Sequence, residues 1–264
     1  MKIAMGQMLV TGGEVEGNLM RGVAMIADAA AQGCHVVVLP ECMDFGWTHS
    51  SARNGAQEIP GPISMRLCSA AHAHRIYVVA GLTERSGEHL HNTSILISPT
   101  GEILLKHRKI GELPFARQQY DIGEVLAVAQ TPLGCVATPI CADLLPESIA
   151  LGHAVGHMGA QLIFSPCAWA VDAGHDNRAE PYGENWRMSY GELARKWNMT
   201  VVGVSNVGWI TDGEWKGRKC IGCSLAVGEG GRVVAQGPYG DSAEALVTFE
   251  IPGTPPFPAS LSHT

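Results

Sequence analysis

The sequence predicts an α/β fold in which one sheet packs on another and helices cover the outer faces. Segments of helical and strand periodicity alternate in both halves of the chain, with hairpins between them. Short β-branched runs, such as the one at 35–39, are typical of strands buried on both faces. No linker separates two domains, so we expect residues 1–264 to form a single domain with a Pro-rich tail at 252–264.

Apolar spacing, glycines and prolines place the individual elements along the chain. A period near 3.6 predicts helices at 14–32, 64–74, 147–158 and 184–197. Apolar or alternating runs predict strands at 2–8, 35–39, 76–83, 92–97, 102–106, 125–129, 134–141, 161–165, 200–205 and 245–250. Polar stretches at 107–123 and 167–182 predict two long loops, and long loops often carry function.

Composition and charge exclude several classes of protein. The net charge of -7 argues against a nucleic-acid partner, because the only basic cluster, 106–109, is too short to neutralise a row of phosphates. No apolar run is long enough to cross a bilayer, so no membrane partner is expected. The chain reads from Met1 into a strand without a signal peptide, and its eight cysteines are therefore expected to be reduced thiols in the cytoplasm.

Three reactive side chains lie at or just beyond the ends of predicted strands: Glu41, Lys109 and Cys141. In α/β folds the carboxyl ends of strands are where sites are built. Each residue alone is weak evidence, since a lone acid or lysine is usually solvated and a free cysteine is most often a small buried hydrophobe. The sequence around all three therefore decides the interpretation.

The motifs around these residues resemble the signature of the nitrilase superfamily of carbon–nitrogen hydrolases. The matching segments are Leu39-Pro40-Glu41, His107-Arg108-Lys109, 140–147 around Cys141, 158–163, Ser165-Pro166, Trp169 and Asn206. They occur in the family's order and cover almost the whole chain. The resemblance implies a four-layer α-β-β-α sandwich with Glu41, Lys109 and Cys141 as the catalytic triad.

The chemistry of amide hydrolysis explains these residue types. By the resemblance, Cys141 attacks the carbonyl carbon and forms a thioester, while Glu41 acts as general base. Lys109 and the peptide N–H of Ala142 stabilise the oxyanion, and the ammonium is expected to lower the pKa of the thiol. The expected substrate is a small linear amide or N-carbamoyl compound that releases ammonia, with no cofactor and no metal. A nitrile substrate and a non-catalytic, ligand-binding relative are the alternatives.

One part of the family pattern is missing. Many members carry a second glutamate in the loop after the lysine, but 115–123 has no acid at the expected place. Glu112 is the nearest substitute and Glu124 is another. If Glu112 replaces the missing carboxylate, the loop must fold back after Gly111, whose lack of a side chain permits it. A solvated loop carboxylate is the alternative interpretation of Glu112.

The loop that follows Trp169 is implied by the resemblance to wall the substrate pocket. Its polar side chains, His175, Asn177 and Glu180, are candidates for substrate contact or for dimer packing. The family packs its sandwiches side by side, so a homodimer or larger homo-oligomer is expected. An Ala- and Gly-rich helix at 150–156 would permit that close approach.

Two other constellations compete with this interpretation. His153 and His157 have the spacing of zinc ligands on a helix, but Ala154 stands where a metalloprotease carries its glutamate. Cys220 and Cys223 form a lone C-x-x-C, and a strand would direct their thiols to opposite faces. Neither pair predicts a metal site.

Overall fold

Two six-stranded sheets form the centre of the structure, a computed structural model that describes residues 1–252. The strands, in chain order, are β1 (Lys2–Gln7), β2 (Val36–Val38), β3 (Tyr77–Ser86), β4 (His89–Ile97), β5 (Ile103–Arg108), β6 (Ala129–Thr131), β7 (Gly134–Ala137), β8 (Leu162–Cys167), β9 (Ala170–Val171), β10 (Thr200–Ser205), β11 (Val207–Trp209), β12 (Lys219–Ile221), β13 (Leu225–Gly228), β14 (Arg232–Gln236) and β15 (Ala245–Glu250). The helices are α1 (Val15–Ala31), α2 (Ala52–Gly55), α3 (Pro62–His74), α4 (Ala150–His157) and α5 (Glu184–Trp197).

The two large sheets have similar topologies. The first has the order β15-β1-β2-β3-β4-β5 and the second the order β14-β13-β10-β8-β7-β6. Each has three parallel strands at its centre, β1-β2-β3 and β7-β8-β10, and antiparallel strands outside them. Parallel neighbours place their carboxyl ends at one edge, so both sheets present a row of strand ends where loops can build a site.

Alternation along the strands sends side chains to opposite faces of each sheet. In β2, Val36 and Val38 lie in the core between the two sheets, while Val37 faces the helices. In β8, Leu162 and Phe164 lie between the sheets and Ile163 faces outward in the same way. The β-branched runs are therefore buried on both faces, as their composition predicts.

Helices cover the outer face of each sheet. The helices α1 and α3 pack on the first sheet through a cluster that includes Leu19, Ile26 and Leu67. The helices α4 and α5 pack on the second through Val155 and Leu193. This arrangement confirms the α-β-β-α sandwich. Within residues 1–252, no helix is long and apolar enough to span a membrane.

Some element boundaries differ from the predicted ones. The predicted strand at 125–129 forms ladder hydrogen bonds only from Ala129 onward, and Val125 is 69% exposed. The predicted strand at 134–141 ends at Ala137, because Pro139 has no N–H to donate and the chain then turns. The helix predicted at 147–158 begins only at Ala150, after a 3₁₀ turn at Pro146–Ser148. Except for Pro252, the Pro-rich tail lies outside the described residues.

The glycines of α4 serve packing within the chain. A Cβ on Gly152 would lie 2.6 Å from the side chain of Leu193, and one on Gly156 would lie 2.5 Å from the ring of Trp197. Both neighbours belong to α5, so the small residues allow α4 and α5 to approach each other. The prediction that these glycines permit close approach of a second subunit was therefore wrong about their partner.

Candidate active site

Side chains from the strand ends of both sheets meet in a cavity of about 420 Å³. Glu41 follows β2 and Lys109 follows β5 of the first sheet, and Cys141 follows β7 of the second. All three line the cavity. The prediction that these residues come together is thus met by the topology, because the two rows of strand ends lie at the same end of the sandwich.

Glu41 is buried and held by three hydrogen bonds. Its Oε1 accepts from Lys109 Nζ at 2.7 Å and from Asn92 Nδ2 at 2.6 Å. Its backbone N–H donates to the carbonyl of Cys167 at 3.2 Å, which ties it to the second sheet. Its Cα lies only 2.5 Å from where a Cβ on Gly81 would stand, so glycine is required on the neighbouring strand.

Lys109 is a buried ammonium between two carboxylates. Its Nζ lies 2.7 Å from Glu41 Oε1 and 3.7 Å from Glu112 Oε2. It also lies 5.6 Å from the ring centre of Trp47. Burial alone would lower the pKa of Lys109, but the charges of Glu112 and Glu41 outweigh it and raise the pKa well above its usual range. The side chain is therefore a permanent cation in the site.

Glu112, whose role the sequence left open, lies next to Lys109. Its side chain is buried, and neither carboxylate oxygen has a hydrogen-bond partner within residues 1–252. Burial raises the pKa of Glu112 to about 7, with Glu41 adding to the effect and Lys109 opposing it. A solvated loop carboxylate is excluded by this burial. Glu124, the other candidate, is exposed and does not line the cavity.

Cys141 begins a tight 3₁₀ turn and has a left-handed backbone conformation, with φ of 43°. Its N–H donates to Ser165 Oγ at 3.0 Å, which fixes the turn against β8. Contact with the thiol of Cys167, then burial, then the charge of Glu41 raise the pKa of the Cys141 thiol well above its usual range. Lys109 opposes this rise without reversing it. The expected lowering by the ammonium is therefore present but outweighed, and the net shift of the pKa of Cys141 is upward.

Ala142 lines the cavity beside the thiol. Its backbone N–H, unlike that of Asp143, has no hydrogen-bond partner in the described part of the chain. An unpaired N–H next to a nucleophile can donate to an oxygen that gains negative charge. The geometry therefore offers two donors for an oxyanion, this N–H and Lys109 Nζ.

Asp143 fastens the loop after Lys109 to the turn at Cys141. Its Oδ1 accepts from the backbone N–H groups of Ile110 at 3.0 Å and Gly111 at 2.6 Å. Its Oδ2 accepts from Ile140 N–H and from His107 Nε2, each at 2.8 Å. Burial alone would raise the pKa of Asp143, but His107 and these N–H groups lower it. One buried carboxylate thus sets the position of both loops.

The walls of the cavity are mainly aromatic. Trp169 stacks on Trp186 with ring centres 5.0 Å apart, and Tyr182 lies beside them. On the other side, Trp47 contacts Trp215 at 5.0 Å. Trp169, which the family resemblance makes a candidate for substrate binding, is one of the lining residues.

The three polar candidates of the following loop have different positions. His175 and Glu180 line the cavity. Asn177 does not line it, because its Oδ1 accepts the backbone N–H of Tyr182 at 2.7 Å and so closes the loop on itself. Substrate contact by Asn177 is therefore not supported by its position.

The histidine and cysteine pairs that competed as metal sites have other contacts in the structure. His153 Nε2 contacts Glu192 Oε1 at 2.9 Å and its Nδ1 accepts from Trp197 Nε1 at 3.0 Å. The ring of His157 lies 4.5 Å from that of Trp197. Cys220 lies in β12, but Cys223 lies beyond it with a φ of 60°, so the expectation that both thiols belong to one strand was wrong.

Several residues of the site were missed at the level of sequence. They are Asn92, which holds Glu41; Asp143; and the cavity-lining residues Trp47, Tyr182, Glu184, Trp186 and Trp215. The run Asn92-Thr93-Ser94 inside an otherwise apolar strand was an available signal, because buried polar side chains in a strand need partners. The lining residues carried no comparable pattern.

A family model described as carbon-nitrogen hydrolase matches residues 2–253. Among curated proteins, the chain is 32% identical over 167 residues to the omega-amidase NIT2 of Danio rerio, which covers 60% of each protein. It is 30% identical over 183 residues to the omega-amidase NIT2 of Xenopus tropicalis, which covers 66% of this chain and 65% of that protein. The chain thus spans between 60% and 65% of the length of these relatives.

Solved structures share the fold. An amidase from Nesterenkonia sp. matches with a TM-score of 0.79 at 21% identity, and the match covers 96% of this chain and 90% of that chain. Nit3 of Saccharomyces cerevisiae, a member of branch 10 of the nitrilase superfamily, matches with a TM-score of 0.78 at 21% identity, over 94% and 89% of the two chains. At these identities the likeness establishes a common fold.

Proposed function

This chain belongs to the carbon–nitrogen hydrolase family, and we propose that it hydrolyses a small linear amide or N-carbamoyl compound through Cys141, with release of ammonia. The observation that carries the proposal is the buried Lys109–Glu41 pair, 2.7 Å apart, at the same cavity as the Cys141 thiol. A nucleophile, a base and an oxyanion donor are the three groups that cleavage of an amide requires. None of them needs a cofactor.

In the first half of the reaction, Glu41 takes the proton of the Cys141 thiol and Sγ attacks the carbonyl carbon. A base is needed because the resting thiol is neutral, as its raised pKa indicates. The electron pair of the C=O bond moves to oxygen. Lys109 Nζ and the N–H of Ala142 then stabilise the negative charge on this oxygen by hydrogen bonds. Collapse of this intermediate breaks the C–N bond. The nitrogen takes the proton from Glu41 and leaves as ammonia, which gives a thioester on Cys141.

In the second half, water hydrolyses the thioester. Glu41 takes a proton from water, the hydroxide attacks the thioester carbon, and the C–S bond breaks. The thiolate of Cys141 recovers its proton from Glu41 and the carboxylic acid leaves. For a primary amide the balance is amide plus water to acid plus ammonia, and the same two donors stabilise both intermediates.

Glu112 fills the role of the missing second glutamate in this proposal. Its carboxylate lies 3.7 Å from Lys109 Nζ and holds the ammonium in place. Asp143 supports this arrangement, because it accepts the N–H of Gly111 directly before Glu112. Glu112 is therefore a positioning residue that acts through Lys109.

A screen for ammonia release tests the proposal. The substrates are primary amides, N-carbamoyl amino acids, ureas and nitriles, each with wild-type enzyme and with Cys141→Ala. We expect turnover of an amide or a carbamoyl compound that depends on Cys141. Release of ammonia from nitriles alone, or from no compound in the panel, would reject the proposed reaction.

We further propose a homodimer formed through the outer surface of α4 and α5, in a reducing compartment such as the cytoplasm. Met158 at the end of α4 is 42% exposed and Met188 on α5 is 56% exposed, and exposed apolar side chains favour association. The proposed compartment rests on a separate observation: all eight cysteines are free thiols and buried, which suits reducing conditions. Light scattering at micromolar concentration tests the assembly, and a monomeric mass would contradict it.

A further inference from the structure

The charges that line the cavity are unbalanced. Within residues 1–252, Lys109 is the only lysine or arginine among the lining residues, whereas Glu41, Glu180 and Glu184 all contribute carboxylates. Glu41 already pairs with Lys109. This leaves an excess of two negative charges, one on Glu180 of the predicted pocket loop and one on Glu184 just beyond it.

Glu180 and Glu184 have no ion pair and no side-chain hydrogen bond in the described part of the chain. Both side chains are exposed at the mouth of the cavity. By contrast, the neighbouring Asp172 pairs with Arg218 at 3.0 Å, and Arg218 does not line the cavity. Neither carboxylate is therefore taken up by a partner in residues 1–252, and both are open to a ligand.

The aromatic walls of the cavity, like its two unpaired carboxylates, favour a positively charged ligand. A positive charge is attracted to the face of an aromatic ring, most strongly to tryptophan. Two of the lining tryptophans already carry a protein cation over their rings, Lys109 5.6 Å from the centre of Trp47 and Arg218 4.3 Å from that of Trp215. On the opposite wall, no cation of residues 1–252 lies over Trp169 or Trp186.

We propose that the substrate carries a positively charged group, such as a protonated amine, on the part of the molecule farthest from the scissile carbonyl. Glu180 and Glu184 pair with this group at the mouth, and the aromatic wall of Trp169 and Trp186 attracts it while packing on the adjacent apolar stem. A substrate with a terminal carboxylate would meet two unpaired negative charges and no guanidinium to hold it. This inference rests on the proposed function, because it assumes that the amide end reaches Cys141.

Three amides with the same four-methylene spacer test the charge preference. They are 5-aminopentanamide, hexanamide, in which a methyl group replaces the ammonium, and adipic acid monoamide, in which a carboxylate replaces it. We expect kcat/KM to be highest for 5-aminopentanamide, by about tenfold over hexanamide at low salt. This advantage should shrink at roughly 0.5 M salt, because exposed charges a few ångströms apart are largely screened at that ionic strength.

Substitutions at the mouth of the cavity identify the side chains that bind the charged group of the substrate. In the double variant Glu180→Gln and Glu184→Gln, the ratio of kcat/KM for 5-aminopentanamide to that for hexanamide should fall about tenfold. Glu184 also stands in the first turn of α5, where an acid stabilises a helix, and a ratio of two substrates cancels any such loss of stability. Glu88→Gln, an exposed acid in a turn away from the cavity, is the matched control and should keep the ratio.

The outcomes separate the two proposals. A preference for hexanamide or for adipic acid monoamide, or an unchanged ratio in the double variant, would overturn the charge preference while leaving amide hydrolysis intact. Failure to cleave any of the three, when other amides are cleaved in the screen, would overturn it as well. Failure to cleave any amide or carbamoyl compound at all would instead reject the proposed function.

Discussion

The carboxylate of Glu112 lies 3.7 Å from the ammonium of Lys109, three residues earlier in the chain. The backbone can bring them together because Asp143 takes the N–H groups of Ile110 and Gly111 and turns the loop inward. Under the proposed function, Glu112 takes the place of the second glutamate that the resemblance puts farther along the loop, so the adjacent turn supplies this carboxylate.

Cys141→Ala should abolish turnover and leave the fold intact, because the variant removes the nucleophile and only a small side chain. Steady-state ammonia release and thermal unfolding measure the two effects. Cys34→Ala is the matched control, since Cys34 is also buried but lies just before β2, away from the cavity. Activity of Cys141→Ala near that of the wild type would eliminate the mechanism.

Glu112→Gln should lower kcat by at least about tenfold, because the amide keeps the shape of the side chain but loses the charge that holds Lys109. KM should change little, since Glu112 does not line the cavity. Glu124→Gln is the control and should be nearly silent. An unimpaired Glu112→Gln enzyme would show that the site operates with three residues alone.

The same variant should change how stability depends on pH. The pKa of Glu112 is about 7 in the native protein, above its ordinary value of 4.5, so the native state binds more protons than the unfolded state between these values. Stability from this group is thus greatest below about pH 4.5 and is lost as the pH rises through 7, by on the order of 3 kcal/mol. Relative to wild type, Glu112→Gln should therefore gain free energy of unfolding between pH 5 and pH 8.5.

Urea denaturation of both proteins at pH 5 and at pH 8.5 measures this gain. A difference in free energy of unfolding that is the same at both pH values would contradict the raised pKa. Asp44, whose pKa burial also raises to about 7, is present in both proteins and cancels.

Asp143→Asn should destabilise the chain by about 2–4 kcal/mol and lower kcat, because an amide nitrogen cannot accept the N–H groups that one carboxylate oxygen takes. The loss of kcat should persist at temperatures where the variant is fully folded, since the Lys109 loop loses its attachment. Unfolding in urea and kinetics at 15 °C measure the two effects separately. Normal kcat in the folded variant would limit Asp143 to a role in stability.

Gly81→Ala should reduce activity strongly with a smaller loss of stability. The added Cβ would lie 2.5 Å from Glu41 Cα and 2.8 Å from the carbonyl oxygen of Pro40, both of them backbone atoms that cannot rotate away. Gly17→Ala, at a half-buried position of α1 with only ordinary contacts, is the control. Wild-type kcat in Gly81→Ala would show that the position of Glu41 tolerates a backbone shift.

The sequence predicted the parts of the fold that have a clear apolar pattern. Long helices such as α1 follow from apolar spacing and the buried strand β2 from a continuous β-branched run bounded by Gly33 and Pro40, and the family match confirms the superfamily that the motifs around Glu41, Lys109 and Cys141 indicated. The strands β6, β9, β11 and β12 have two or three residues each, too few to show a period.

The supporting residues of the site were harder to predict because their partners are distant in sequence. Asn92 contacts Glu41 across 51 positions, and Asp143 contacts His107 across 36. No local pattern encodes such a contact, since it depends on the order in which the strands join the sheets. The placement of Glu112 beside Lys109 could be foreseen only because Gly111 permits the turn.

Glu41 and Cys141, the base and the nucleophile of the proposed mechanism, follow strands of different sheets, and the N–H of Glu41 donates to the carbonyl of Cys167 across the gap between them. Neither half of the chain carries a complete catalyst. The side chains packed between the sheets, Phe164 and Val38 among them, therefore act as the spacer that sets the distance between acid and thiol. A substitution there can detune the enzyme while the protein stays folded, so the interior of this sandwich is constrained by chemistry as well as by stability.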